Sequence, residues 1–159
     1  MTFRKILVAT DFSPPADEAV LRAADLSRCY GAPLTLIYVY QPVTYGGLPE
    51  GHVVYTPLQM GELMAAFEQR LLAAKRVAEG AGAKGVQTKL LMGPASGEIT
   101  DYAAAEAFDL IAIGTHGRTG LSRFFLGSVA EKVVRTAPCP VLAVRLDETR
   151  DTHSERRNG

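Results

Sequence analysis

The chain has 159 residues, with 17 lysines and arginines against 17 aspartates and glutamates, and two cysteines. That length suits one domain whose folding buries roughly two-thirds of the surface the unfolded chain exposes. The balanced charge excludes bulk attraction to nucleic acid or an anionic membrane, so any anion must be bound locally. Cys29 and Cys139 lie far apart without CxxC spacing, which supports neither a disulfide framework nor a zinc site; both are expected as buried, reduced thiols. Asp11 interrupts the first apolar run before it reaches signal-peptide length, and no apolar stretch approaches the roughly 18 residues of a membrane span. A cytoplasmic protein is expected.

Arg4 to Ala9 is a short apolar run, too uniformly hydrophobic to be half-exposed, and reads as a buried strand. Ser13 then offers an N-cap and Pro14 a first helical residue, with Ala16, Ala19, Val20, Ala23 and Ser27 recurring at helical spacing until Gly31. Leu34 to Tyr40 is apolar on both faces, a second interior strand. Residues 41–57 hold too many glycines and prolines for a helix. Loops of that length are functional or disordered; Tyr45, His52 and Tyr55 would cover a ligand or meet a partner, or the segment is a plain surface excursion.

Leu58 to Gly80 is the longest helical pattern, with Met60, Leu63, Met64, Phe67, Leu71, Ala74 and Ala78 on one stripe that reads as core. Val86 to Met92 is a third strand, and Ser96 is expected to cap a helix running to about Ala107, with Glu98 favouring its positive end. Asp109 to Ile113 is a fourth strand. Ser128 to Thr136 is a helix carrying Val129, Val133 and Val134 inward; Pro138 ends it, and Val141 to Val144 forms a fifth strand. Residues 147–159 are polar with nothing to bury, an expected disordered tail after a domain of residues 1–146.

Five strands alternating with four helices, none joined by hairpin-length loops, imply an α/β fold: one doubly wound, five-stranded parallel sheet with helices on both faces. Ligands of such sheets bind beyond the carboxyl ends of the strands, where the winding reverses. The stretch Ile111-Ala-Ile-Gly-Thr-His-Gly-Arg-Thr-Gly-Leu-Ser-Arg-Phe-Phe-Leu-Gly-Ser-Val129 is the most informative. Glycines let a backbone approach a ligand, and the first amides of a helix lack internal partners. Strand, glycine-rich loop and helix start together make an anion site: a phosphate would take the amides of Ser128, Val129 and Ala130, with the Ser128 hydroxyl as a further donor. Each of these residues taken singly is equally a strand end, a turn or an N-cap. Neither a P-loop nor a Gly-x-Gly-x-x-Gly fingerprint follows the first strand.

Gly114-x-x-Gly117, nine residues, then Gly127-Ser128 resembles the nucleotide-binding signature of the universal stress protein family, in its ATP-binding branch. Val8-Ala-Thr-Asp-Phe-Ser13 and Ala137-Pro-Cys-Pro-Val-Leu-Ala-Val144 are similar to that family's segments too. The resemblance implies a Rossmann-like, adenine nucleotide alpha hydrolase-like domain with the fourth strand beside the first, so that the crevice lies between Asp11 and Gly114. It implies ribose and phosphate roles for Gly114, Gly117, Gly127, Ser128 and Val129, and an adenine-facing backbone at Val39. Asp11 would hydrogen-bond the ribose or help hold magnesium or manganese through the phosphates. Ala9 stands where many relatives have proline, beside the adenine pocket; Ile113 and His116 flank the loop glycines, and Arg118 and Arg123 are placed to reach phosphate charge.

The resemblance implies a homodimer paired through the last strand and a nucleotide-dependent regulator of the stress response, with at most slow ATP hydrolysis or self-phosphorylation. Two other readings stay open. One is a nucleotide-using transferase or ligase with Asp11 and His116 as its catalytic groups; the other is a dimeric adaptor with a vestigial site.

Overall fold

The computed structural model of the protein describes residues 2–42, 56–115 and 126–146. Its elements are β1 (Ile6–Ala9), α1 (Pro14–Tyr30), β2 (Pro33–Tyr40), α2 (Pro57–Gly80), β3 (Lys84–Met92), α3 (Ala95–Ala105), β4 (Leu110–Gly114), α4 (Ser128–Thr136) and β5 (Val141–Val144). The strands form one sheet in the order β3-β2-β1-β4-β5, every neighbouring pair parallel. This is the expected doubly wound α/β fold.

Strand alternation divides the core. Ile6 and Val8 of β1, Leu34 and Leu36 of β2, and Leu110 and Ala112 of β4 share one cluster with Ala19, Val20 and Ala23 of α1 and with Leu71 and Ala78 of α2. The intervening Leu7, Ala9, Ile37, Ile111 and Ile113 pack with Ile99 and Ala103 of α3 and with Ala130 and Val133 of α4. A strand buried on both faces needs apolar residues at consecutive positions, which is why these runs do not alternate with polar ones. Residue by residue the register sets Ala9 level with Ile37 on one side and Ile113 on the other.

The helix ends show how local chemistry fixes the boundaries. α1 starts with Pro14 at its first position and stops at Gly31, whose φ of 67° closes the helix in the left-handed conformation. Ser13 occupies the N-cap position without a side-chain capping bond; its hydroxyl instead donates to Asp11 Oδ1. α2 begins with a capping box that the sequence reading overlooked: Gln59 N–H donates to Thr56 Oγ1 (3.3 Å) and Thr56 N–H donates to Gln59 Oε1 (2.9 Å). Ser96 does not cap α3. Pro94 is the N-cap residue and forms no side-chain capping bond, and Ser96 lies inside the first turn.

Three burial expectations are corrected. Of the predicted α2 stripe only Leu71 and Ala78 are buried; Met60, Leu63, Met64, Phe67 and Ala74 are half-buried, with Phe67 against the rings of Tyr38 and Tyr40 near the end of β2. Within α4, Val133 is buried, whereas Val129 and Val134 are 37% and 47% exposed. Cys29 is exposed and Cys139 half-buried; a position near the C-terminal end of α1 on its outer side cannot reach the core. Residues 43–55, which are most of the predicted 41–57 loop and hold Tyr45, His52 and Tyr55, and the predicted tail 147–159 lie outside the described residues; Pro57, predicted as the end of the loop, begins α2.

Candidate nucleotide site

The order of the sheet puts the winding reversal between β1 and β4. From β1 the chain passes to α1 on one face, and from β4 toward α4 on the other. A cleft of about 230 Å³ opens there, beyond the carboxyl ends of the strands. Its lining includes eight of the predicted residues: Ala9, Asp11, Val39, Ile113, Gly114, Gly127, Ser128 and Val129. His116, Gly117, Arg118 and Arg123 lie outside the described residues.

Four features give the cleft its chemistry. The first is the amino end of α4. Its first intrahelical bond is donated by Glu131 to Gly127 O (2.8 Å), so the amides of Ser128, Val129 and Ala130 have no partner within the helix and carry its positive dipole end. Gly127 is the N-cap residue and Ser128 the first helical residue, so Ser128 is not the cap. Gly127 N–H donates to Thr115 O (2.7 Å), and Thr115 N–H donates to Val144 O (2.8 Å), which ties this helix end to the ends of β4 and β5.

The second is backbone at the end of β2. Ile37 O accepts from Thr10 N–H (2.9 Å) on the β1 side, while Tyr40 O accepts from Gly93 N–H (3.0 Å) on the β3 side. Successive residues of a strand address opposite neighbours, so Val39 turns its N–H and C=O toward β1 at a level where β1 has already ended. A planar donor–acceptor edge can be read there by backbone alone.

The third is Asp11. Its Oδ1 accepts from Ser13 N–H (3.0 Å) and from the Ser13 hydroxyl, which orients the carboxylate at the start of α1. The fourth is an apolar wall of Ile37, Val39, Ile99 and Ile113, suited to a flat aromatic ring.

Gly114 serves mainly as a packing residue. A Cβ there would lie 2.8 Å from the Ala16 nitrogen and 2.8 Å from the Pro15 carbonyl carbon, so the absence of a side chain lets the first turn of α1 rest on the end of β4. Gly127 has φ −59° and ψ 148°, open to any residue, so its value lies in the space it leaves at the cleft. Sequence reasoning missed Thr10, Ala16, Ile37, Tyr38, Ala95, Ile99 and Thr115 as lining residues. Thr10 and Thr115 directly follow β1 and β4 and had that signal; Ala95 and Ile99 come from α3 and had none.

Just outside the cleft, burial pushes the Asp17 carboxyl above its ordinary value; Arg70 opposes the shift and Asp11 adds to it. Among the described residues no group of three or more His, Cys, Asp or Glu side chains forms a metal cluster, and no helix is long and apolar enough to cross a membrane.

Known proteins are similar to this chain in sequence and in fold. A universal stress protein of Methanocaldococcus jannaschii is 38% identical over 144 residues, covering 90% of this chain and 82% of its own. Among solved structures, the universal stress protein UspA from Lactobacillus plantarum matches with TM-score 0.74 and 28% identity over 91% of this chain and 99% of its own. The universal stress protein from Archaeoglobus fulgidus, solved in complex with dAMP, matches with TM-score 0.64 and 26% identity over 91% of this chain and 99% of its own. The model of the universal stress protein family matches residues 2–145, and with the fold and these relatives it establishes that the chain belongs to that family.

Proposed function

We propose that the cleft binds an adenine nucleotide, ATP in the first place, and that the protein acts as a nucleotide-dependent switch in the stress response. The observation that carries this reading is the convergence, at one sheet reversal, of the α4 amides that have no partner within the helix, the Val39 backbone edge and the Asp11 carboxylate around an apolar slot. The slot takes the base, Val39 reads its edge, and the amides of Ser128, Val129 and Ala130 take phosphate oxygens. That the related A. fulgidus protein was solved in complex with dAMP supports an adenine nucleotide as the ligand. Gly117, His116 and Arg118 complete the phosphate side in this reading.

Asp11 is the single carboxylate among the described lining residues. One carboxylate with phosphate oxygens is a donor set that suits magnesium or manganese, which keep most of their waters, so the ion would arrive with the nucleotide. Asp11 would orient the hydrated ion or the ribose. Hydrolysis or self-phosphorylation would be slow.

β5 lies at the sheet edge with half-buried Val141 and Leu142 and exposed Ala143. An apolar edge left open invites pairing with another strand, and we place the homodimer contact there. The nucleotide reading is tested by calorimetric titration of the stripped protein with ATP, ADP, dAMP and GTP, with and without magnesium. Micromolar binding of an adenine nucleotide with GTP much weaker is expected. No binding of any nucleotide contradicts the reading and leaves the dimeric adaptor.

A further inference from the structure

Phe12 connects the cleft to α2. It has φ 62°, a conformation that bulky side chains avoid and that persists only where the surroundings over-determine it. Asp11, in the cleft, precedes it; Ser13, the N-cap of α1, follows. Its N–H donates to Thr10 Oγ1 (2.9 Å).

The ring packs away from the strand ends. Its centroid is 4.8 Å from that of Tyr38, which lies 4.5 Å from that of Phe67. The Arg70 guanidinium lies 4.1 Å from the Phe12 centroid, within range of a cation–π contact. Phe67 and Arg70 are three residues apart on α2, hence on one face of the helix. α2 therefore brackets the Phe12–Tyr38 pair, with Phe67 on the tyrosine and Arg70 on the phenylalanine. Both Tyr38 and Asp11 line the cleft.

Beyond this stack, Phe67 also meets the Tyr40 ring (centroids 5.6 Å) and half-buried Ala74 packs on the core. α2 buries only Leu71 and Ala78, and a second cleft of about 360 Å³, bordered by Phe12, Asp17, Leu21, Arg70 and Val77, leaves the seam between α1 and α2 unfilled. A helix with two fully buried side chains among 24 residues shifts at lower cost than one buried along its length.

We propose that α2 is the responding element of the cleft: Phe67 and Arg70 are positioning residues that hold Phe12 left-handed and so fix Asp11 toward the nucleotide. The inference rests on the nucleotide reading above. Binding and α2 docking then stabilise each other, because coupling between two sites is reciprocal. Loosening α2 weakens the nucleotide, and nucleotide tightens α2, which would present a changed outer surface to whatever reads the switch.

The test uses the full chain with dAMP and ATP as probes, measuring hydrogen exchange and calorimetric affinity. Saturating nucleotide is expected to slow exchange of the α2 amides around Phe67 to Leu72 at least severalfold. Arg70→Ala is expected to weaken binding by about fivefold, the low end of site-to-site coupling, and to abolish that protection. Arg70→Lys keeps a cation over the ring and is expected to stay within about twofold of wild type. Phe108→Leu, in the core cluster on the opposite face of the sheet from α2 and at the amino end of β4, serves as the control for loss of stability without loss of affinity.

Nucleotide binding to the wild type without added protection in α2 overturns the inference, as does Arg70→Ala with wild-type affinity or Arg70→Lys as weak as Arg70→Ala. Wild type that binds no adenine nucleotide removes the underlying reading as well. The wild-type exchange experiment needs no variant, so a substitution that fails to fold does not shelter the inference.

Discussion

Gly114→Ala and Gly127→Val separate two uses of glycine in one cleft. At Gly114 an added methyl would meet the Ala16 nitrogen and Pro15 carbonyl carbon at 2.8 Å and the Pro15 Cβ at 3.1 Å. Two of these are backbone atoms of the first turn of α1, which cannot rotate away. Forcing the end of β4 from α1 should cost about 1–3 kcal/mol, the usual range for overpacking. A smaller unfolded-state entropy returns about 0.5 kcal/mol. At about 2–4 °C per kcal/mol for a domain of this size, the remaining ~0.5–2.5 kcal/mol means that Gly114→Ala should lower Tm by roughly 1–10 °C. Because the displaced turn follows Asp11, nucleotide affinity should fall too. Gly127→Val starts from φ −59° and ψ 148°, which valine adopts without strain; it should fold with a near wild-type Tm and lose nucleotide binding to the side chain it places beside the α4 amides. Thermal unfolding and calorimetry on both variants suffice. Gly114→Ala melting within about 1 °C of wild type would refute the steric argument, and Gly127→Val binding normally would refute the placement of the ligand.

Asp17→Asn should show a pH-dependent stability difference. Its carboxyl is raised in the folded state above the ordinary 3.8, burial outweighing the pull of Arg70, so what it contributes to stability is present below the ordinary value and lost as pH rises through the folded value. The asparagine variant should therefore gain on wild type between pH 4 and pH 7 in denaturant unfolding; a gain on acidification would reverse the sign. Cysteine labelling should be selective. Cys29 is exposed, whereas burial and then Asp109 raise the half-buried Cys139 thiol, so mass spectrometry after limited alkylation at neutral pH should find Cys29 modified first. Equal rates would contradict that order. Magnesium should bind measurably only when nucleotide is present, and a tight site in the nucleotide-free protein would contradict the single-carboxylate account. Ala143→Lys puts a charge on the β5 edge and should yield a monomer by light scattering if the dimer pairs there; an intact dimer moves the interface elsewhere.

The sheet was legible because burial on both faces imposes unbroken apolar runs: Ile6 to Ala9, Leu34 to Ile37 and Leu110 to Ile113 are all interior, and their alternation with helices left few topologies. The helix start that borders the cleft was legible because Gly127-Ser128 follows a glycine-rich stretch of sequence. Less legible were features that depend on what lies across a gap. The α2 stripe has core periodicity, yet Met60, Leu63, Met64 and Phe67 in its first half remain half-buried, because periodicity sets which side chains share a face and not how much lies across from it. Ser96 has the chemistry of a cap but stands two residues after the N-cap residue Pro94. The left-handed Phe12 and its stack with Tyr38, Phe67 and Arg70 join residues from three distant segments, and no spacing in the chain announces them.

Nuclear magnetic resonance of the isotopically labelled chain, titrated with ATP, tests the central claim most directly. The amides of Val39 and of Ser128, Val129 and Ala130 should shift together and saturate at one stoichiometric equivalent, while those of Lys5 and Asp109, hydrogen-bonded to each other just before β1 and β4, stay in place. Shifts centred on that opposite end, or none at millimolar ATP, would contradict it.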